Sequence, residues 1–279
     1  MRWLEETEHK ASRQDDINLL RYLDQHLSAA FLDEITTDRV DAIARARKAT
    51  GVKNATLNRM IALISAILRR AERQWGWLTH APALRRYAVT ERRIRWLTHD
   101  EAERLLFELP EHLEKMARFT LATGLRAANV CHLEWSQIDL ERRVAWIHPD
   151  QAKARRAIGV PLNTDAALVL RRCQNQHPTR VFSYHGAPIA EANSRAWYKA
   201  LERAGIENFR WHDLRHTWAS WHVQSGTPLH VLQELGGWAS YDMVQRYAHL
   251  APEHLAEHAA RLETKKHIIS TAPAAAKRK

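Results

Sequence analysis

The periodic spacing of apolar residues in the first quarter of the chain places the strongest constraint on its fold. Leu57, Ile61, Ile64 and Leu68 recur every three or four residues, which puts them on one face of an α-helix. We predict that this helix spans residues 54–75. Its arginines fall on other faces: Arg59, Arg69, Arg70 and Arg73. Similar patterns at about 14–28 and 38–49, without any alternating β-pattern, predict a small helical bundle with a basic surface.

The length and charge of the chain narrow the class of protein. Its 279 residues suit two compact domains or one large one, and a hydrophobic content of 45% is enough to build real cores. Lys and Arg number 42 against 32 Asp and Glu, which gives a net charge of +10. Such a surplus favours a polyanionic partner, because each neutralised phosphate releases condensed counterions. Many basic proteins bind no nucleic acid, so charge alone assigns no function.

The cysteines and the N-terminus exclude several other classes. Cys131 and Cys173 provide neither a disulfide framework nor a cysteine-based zinc site, and we interpret both as ordinary helix residues in a reducing compartment. The first ten residues lack the apolar core of a signal peptide, and no apolar run approaches about 18 residues. We therefore expect a soluble, cytoplasmic protein with no membrane association.

A change of pattern between about residues 76 and 96 predicts a domain boundary. This segment is rich in arginine: Arg85, Arg86, Arg92, Arg93 and Arg95. A basic linker that crosses a phosphate backbone and a solvated charged loop fit it equally well. A capping-box sequence, Thr98 to Glu101, then begins a new helix. We predict a helical domain over 1–87, a basic linker over 88–96, a second domain over 97–266 and a disordered basic tail over 267–279.

The second domain is predicted to be helical with a small sheet. Residues 144–147 and 157–160 have the pattern of short strands that end close to a proline, and residues 181–182 are a candidate third strand. The remaining segments indicate helices joined by Gly and Pro turns, so the fold class is mainly α with a small β-sheet. We assign Trp135 and Trp146 to the core and a packing role to His249.

Two segments contain residues suited to cutting DNA without a metal. That chemistry needs a nucleophile, cations that hold the non-bridging oxygens and an acid for the leaving oxygen. Arg126 follows a glycine turn near a helix start, where a guanidinium can clamp a phosphate bidentately. Arg215 lies three residues after His212, so both side chains share a helix face. Trp211 and Trp218 flank this pair and are expected to pack the helix inward.

Two other interpretations of the histidine-rich segment remain open. His212, His216 and His222 recur at similar helical phases, as the ligands of a metal site would, but no carboxylate or cysteine completes a ligand set. Structural pairing of the histidines is the other alternative. We predict no metal and no cofactor.

The order of these residues resembles one family. Arg126, His212, Arg215 and then Trp238, nine residues before Tyr247, are similar to the motif of the tyrosine recombinases, meaning phage integrases and Xer-type resolvases. Lys153, seven residues before the Val of a Val-Pro pair, resembles the lysine of the family's β-hairpin. The helical region ahead of them resembles the family's core-binding domain, so the resemblance covers nearly the whole chain.

The resemblance implies a role for each residue. Tyr247 would attack the scissile phosphate, forming a 3′-phosphotyrosyl link and freeing a 5′-hydroxyl. Arg126 and Arg215 would hold the phosphate oxygens, and Lys153 would protonate the leaving oxygen. His212 is expected to assist proton transfer at the tyrosine hydroxyl, and Trp238 would donate its indole N–H to the phosphate.

The same resemblance implies partners and exposes two departures. It implies double-stranded DNA attachment sites, a homotetramer on DNA, accessory directionality or bending factors, and a location at the nucleoid of a bacterial or phage-infected cell. A helix over 252–266 would dock on a neighbouring protomer.

Asn129 stands where many relatives have Glu, and little space precedes the bundle for an arm-type DNA-binding domain. Relaxation of the type IB topoisomerase kind, or an inert prophage remnant that only binds DNA, are the alternatives.

Overall fold

The computed structural model describes residues 2–89, 94–148, 157–250 and 260. The chain divides into two compact units, Met1–Arg92 and Arg93–Lys279. Among the described residues, no helix is both long and apolar enough to span a membrane.

The described part of the first unit is a helical bundle. Its helices are α1 (Arg2–Glu6), α2 (Arg13–Leu27), α3 (Thr37–Ala49) and α4 (Asn54–Arg70), with a 3₁₀ turn at Leu32–Glu34 and a π-helical turn at Ala71–Trp75 that prolongs α4. The predicted stripe on α4 is buried, with Leu57, Ile61, Ile64 and Leu68 all less than 4% exposed. The helical predictions are therefore confirmed to within a turn.

The segment after α4 packs against this bundle without regular secondary structure. Leu78, Ala81, Leu84 and Tyr87 lie against its core. Asn58 fixes the backbone of Tyr87 from both sides, since its Nδ2 donates to the Tyr87 carbonyl at 2.9 Å and its Oδ1 accepts from the Tyr87 N–H at 2.8 Å. Residues 90–93 of the predicted basic linker lie outside the described residues.

The second unit begins with the predicted capping box. The Thr98 hydroxyl accepts from the Glu101 N–H at 3.2 Å, and the Glu101 carboxylate accepts from the Thr98 N–H at 2.9 Å. The described helices of this unit are α5 (His99–Glu108), α6 (Glu111–Thr123), α7 (Ala127–Cys131), α8 (Thr164–Cys173), α9 (Arg195–Arg203), α10 (Trp211–Gln224), α11 (Leu229–Gly236) and α12 (Asp242–Gln245). Both cysteines are buried helix residues, as expected.

A small antiparallel sheet and a hairpin accompany these helices. The sheet contains β1 (Ile138–Asp139), β2 (Val144–Ile147) and β3 (Ile158–Pro161), in that order, and the hairpin joins β4 (Ser183–Tyr184) to β5 (Ala187–Pro188). The prediction of a strand at residues 181–182 was wrong: both side chains are buried, but the third strand of the sheet is β1. A strand of two residues is too short to show a period in the sequence.

Two further expectations also need correction. Trp146 is 52% exposed, because Ala145 and Ile147 point into the core and the alternation of β2 turns the residue between them outward. Its ring covers Gly159 on β3 instead. His249 is exposed rather than packed.

Helix α10 is the central element of the second unit. Trp211 and Leu214 belong to the main core, and Trp211 packs against Trp197 with 4.6 Å between ring centroids. Trp218 and Val223, on the other side of the helix, join a second core with Tyr247. Burying one aromatic side chain of this kind contributes about 1.5–3 kcal/mol. Both predicted tryptophans therefore pack α10 inward, which fixes the position of every side chain that the helix presents.

Candidate active site

Arg215 lies at the centre of the candidate site. It is a charged residue on α10, yet it is only 4% exposed. Its Nη1 donates to the Gly124 carbonyl at 2.5 Å and its Nη2 donates to the Gly236 carbonyl at 2.6 Å. These carbonyls lie at the C-terminal ends of α6 and α11, where helix carbonyls lack intrahelical partners and carry partial negative charge. Arg215 thus ties two helix ends to α10.

Burial and a second cation lower the pKa of Arg215. Desolvation is the main cause, the charge of Arg126 adds to it, and the resulting pKa of about 9 leaves the guanidinium cationic at neutral pH. Arg126 is therefore close enough to act on the ionisation of Arg215. A like charge beside a buried cation is costly unless an anion enters between or beside the two.

Arg126 is positioned by the turn between α6 and α7. Gly124 ends α6 in the left-handed conformation, with φ at 66°, and Arg126 is the N-cap residue of α7. The side chain is half-buried, and desolvation lowers its pKa. Arg126 is thus partly open to solvent, whereas Arg215 is enclosed.

Trp238 lies directly over Arg215. The Cζ atom of Arg215 is 4.1 Å from the centroid of the indole, which is within the range of a cation–π interaction. Gly236 permits this approach, since a Cβ atom there would overlap the Trp238 ring. Gly237 adopts φ of 59° and ends α11, and a Cβ atom there would lie 2.5 Å from Ile158 on β3.

Tyr247 is buried beside this pair. It follows α12, is 1% exposed, and its ring centroid lies 6.1 Å from that of Trp238. Its hydroxyl oxygen is 2.5 Å from Nδ1 of His216. Burial raises the pKa of Tyr247 to about 12, although the positive charges of Arg215 and Arg246 act in the opposite direction. The phenol is therefore neutral at neutral pH and needs a base before it can attack.

Two of the three histidines of α10, His212 and His216, occupy different environments. His212 is exposed, and desolvation, followed by the charge of Arg215, lowers its pKa. His216 is half-buried, and desolvation, followed by the charge of His212, lowers its pKa to about 4. Their ring centroids are 5.1 Å apart. Both imidazoles are thus disposed to be neutral at pH 7.

Sequence reasoning missed the contact between His216 and the phenol. We expected His212 to act at the tyrosine hydroxyl, but the hydrogen bond of Tyr247 runs to His216. The helical period could have indicated this contact, because His216 directly follows buried Arg215 on α10. A side chain at that position can face the core that contains Tyr247. Arg246, whose charge acts on both Tyr247 and His216, was also missed.

Lys153 lies outside the described residues. The strands on either side of it are described, and their pairing runs up to Ile147 opposite Ile158. Ile158 in turn packs against Gly237 at the end of α11. Within the described ranges, no three His, Cys, Asp or Glu side chains form a group that could hold a metal ion.

A helical domain with a small antiparallel sheet, in which His216, Trp238 and Arg215 lie around a buried tyrosine, fits the class of tyrosine recombinases. Residues 95–254 match the model of the phage integrase family. The chain belongs to that family.

Comparisons with individual proteins agree with this assignment. The integrase of Salmonella phage P22 is 42% identical over 304 aligned residues, covering 95% of this chain and 78% of the relative. The integrase of Escherichia phage 186 is 32% identical, covering 82% of this chain and 66% of the relative. Among solved structures, a lambda integrase (75-356) dimer bound to a COC′ core site matches 88% of this chain and 93% of its own, with a TM-score of 0.75 and 21% identity.

Proposed function

We propose that this protein is a site-specific DNA recombinase that cuts and rejoins DNA through a 3′-phosphotyrosyl link to Tyr247. The single observation that carries the proposal is the position of the Tyr247 phenol, which is hydrogen-bonded to an imidazole and held beside Arg215 and Trp238. Family membership and the 42% identity to a phage integrase support the same reaction.

The arrangement suits attack on a phosphodiester. The half-buried guanidinium of Arg126 and the exposed ring of His212 lie on the accessible side of the site, where a phosphate can approach. The anion would relieve the repulsion between Arg126 and Arg215 and stabilise the charge that builds in the transition state. The tyrosyl ester conserves the energy of the broken bond, so rejoining needs no ATP. Lys153 is the proposed acid for the leaving 5′-oxygen.

The remaining parts of the proposal concern partners. Double-stranded attachment-site DNA is the proposed substrate, and the lambda integrase structures include a tetramer bound to a Holliday junction. We accordingly propose that this chain forms a homotetramer on DNA, that unit Met1–Arg92 acts as its core-binding domain, and that accessory proteins set the direction of recombination at the nucleoid.

Trapping the covalent intermediate tests this function. Duplexes nicked near each candidate cleavage position, tiled across the DNA that flanks the gene, should give a covalent protein–DNA adduct on a denaturing gel. Tyr247→Phe should bind the same duplex and form no adduct. Tyr241→Phe is the matched control, since Tyr241 lies in the same segment and is 48% exposed. Binding without any adduct by the unmodified protein would contradict the proposal.

A further inference from the structure

His216 makes the shortest side-chain contact to the proposed nucleophile, and the function proposed above gives it no role. Its Nδ1 lies 2.5 Å from the Tyr247 hydroxyl oxygen, with 5.9 Å between the ring centroids. A neutral imidazole that accepts at Nδ1 holds its hydrogen on Nε2, which leaves Nδ1 free to receive the phenolic proton.

The surroundings of His216 set when it can take up that proton. The charged and titratable groups that act on it are His212, Asp213 and Arg215 on its own helix, and Arg246 and Tyr247 on the segment packed against it. Desolvation is the main cause that disfavours an imidazolium ion in the free protein, and the charges of Arg246 and Arg215 add to it. A phosphodiester held by Arg215 would offset part of that positive charge, so the basicity of His216 would rise when substrate is bound. The ring is therefore suited to act as a base at the moment of attack.

We propose that His216 is a catalytic residue of strand cleavage, whose Nδ1 accepts the proton of Tyr247 as the phenol oxygen attacks phosphorus. This inference rests on the function proposed above. The Tyr247 O–P bond forms and the bond from phosphorus to the 5′-oxygen breaks. The leaving oxygen takes its proton from the acid expected at Lys153. In rejoining, the 5′-hydroxyl returns its proton to the amine expected at Lys153 as its oxygen attacks phosphorus, the tyrosyl ester breaks, and the phenoxide recovers its proton from the His216 imidazolium.

The pH dependence of cleavage separates this role from a structural one. Single-turnover adduct formation on a nicked duplex would be measured from about pH 6 to 9 for the full chain and its variants. General-base catalysis contributes about 10²–10⁴-fold, so His216→Ala should lose that much. Its remaining rate should rise by nearly tenfold per pH unit, because the phenol must then lose its proton to solvent hydroxide. The wild-type rate should depend on pH much less steeply.

Two further variants complete the experiment: a conservative substitution of His216 and the removal of another histidine on α10. His216→Asn keeps a hydrogen-bond acceptor near the position of Nδ1 but cannot take up a proton, so it should follow the steep pH profile of His216→Ala. His222→Ala removes a half-buried histidine of the same helix, which is bonded to Thr227, and should keep the wild-type profile. Added imidazole should restore part of the rate of His216→Ala and none of the rate of Tyr247→Phe.

The outcomes distinguish the two proposals. If the wild-type protein forms no adduct on any duplex, the proposed recombinase function fails. If the wild type forms the adduct and His216→Asn matches its rate and pH profile, only the role of His216 is overturned. A slower His216→Ala with a wild-type pH slope would likewise overturn it. A 5′-bridging phosphorothiolate, whose leaving sulfur needs no acid, should leave the defect of both His216 variants in place.

Discussion

At the scale of single residues, the geometry of the site depends on one buried guanidinium. Arg215 donates hydrogen bonds of 2.5 and 2.6 Å to the carbonyl groups at the ends of α6 and α11. A planar guanidinium reaches two separate acceptors at once, whereas the single ammonium group of lysine offers one point of charge. The same group that would hold the phosphate therefore also holds the scaffold together.

Replacing Arg215 by lysine should damage stability and cleavage together. We expect a free energy of unfolding lower by about 1–3 kcal/mol, because at least one buried carbonyl loses its donor. Urea denaturation measures the loss, and the adduct assay should show almost no product. Arg142→Lys, at a side chain that is 87% exposed, is the control and should change neither quantity appreciably. A stable Arg215→Lys protein would show that the carbonyl bonds matter little.

The turn before Arg126 allows a second test with a matched control. Gly124 and Gly205 have nearly equal φ angles of 66° and 67°, but a Cβ atom on Gly124 would overlap the Trp218 ring while one on Gly205 would meet no atom within 4 Å. Gly205→Ala should therefore cost only the left-handed strain of about 1–2 kcal/mol. Gly124→Ala should cost about 1–3 kcal/mol more through overpacking. Equal unfolding midpoints for the two variants would contradict the overlap.

At the scale of elements, the capping box of α5 predicts a pH dependence. The hydrogen bond from Arg95, helped by the Thr98 N–H, lowers the pKa of Glu101. A carboxylate whose pKa is lower in the folded state stabilises the fold above its unfolded pKa, and that contribution disappears as the pH falls through the folded pKa. Stability should thus fall in acid more steeply for the wild type than for Glu101→Gln, as measured by urea denaturation at a series of acidic pH values. Parallel curves would exclude this linkage.

The long amphipathic helices were predictable because their apolar period is a local property. Leu57, Ile61, Ile64 and Leu68 define α4 without reference to any other part of the chain. The strand β1 was not predictable, since its two residues acquire their structure only by pairing with β2. Trp146 was misassigned for a different reason: all four residues of β2 are apolar, so the sequence does not show which of them the strand turns outward.

The family could be predicted from the candidate residues, but the contacts among those residues could not. The order of Arg126, His212, Arg215, Trp238 and Tyr247 predicted the phage integrase family, which the match over residues 95–254 confirms. Which imidazole meets the phenol depends on the rotation of α10, and that rotation is fixed by Trp211 and Trp218 packing into different cores. Such long-range packing cannot be read from a spacing.

At the scale of the whole molecule, a net charge of +10 should make DNA binding strongly dependent on salt. Each phosphate neutralised by the protein contributes about −0.9 to the slope of log K against log salt. The exposed Arg85 and Arg86 lie in the arginine-rich segment of about residues 76–96, and if that segment crosses the phosphate backbone, each arginine neutralises about one phosphate. The interpretation as a solvated loop predicts no contribution from either.

Removing these two charges decides between the interpretations. The double variant Arg85→Gln/Arg86→Gln should bind duplex DNA with a slope about 1.8 units shallower than that of the wild type, as measured by fluorescence anisotropy over a salt series. Arg172→Gln is the control, because Arg172 is 47% exposed but already paired with Glu114 at 3.0 Å, so its slope should match the wild type. Tyr247→Phe should also keep the wild-type slope, since a neutral phenol releases no counterions. An unchanged slope in the double variant would assign Arg85 and Arg86 to solvent, and the phosphate contacts would then have to come from other cations of the chain.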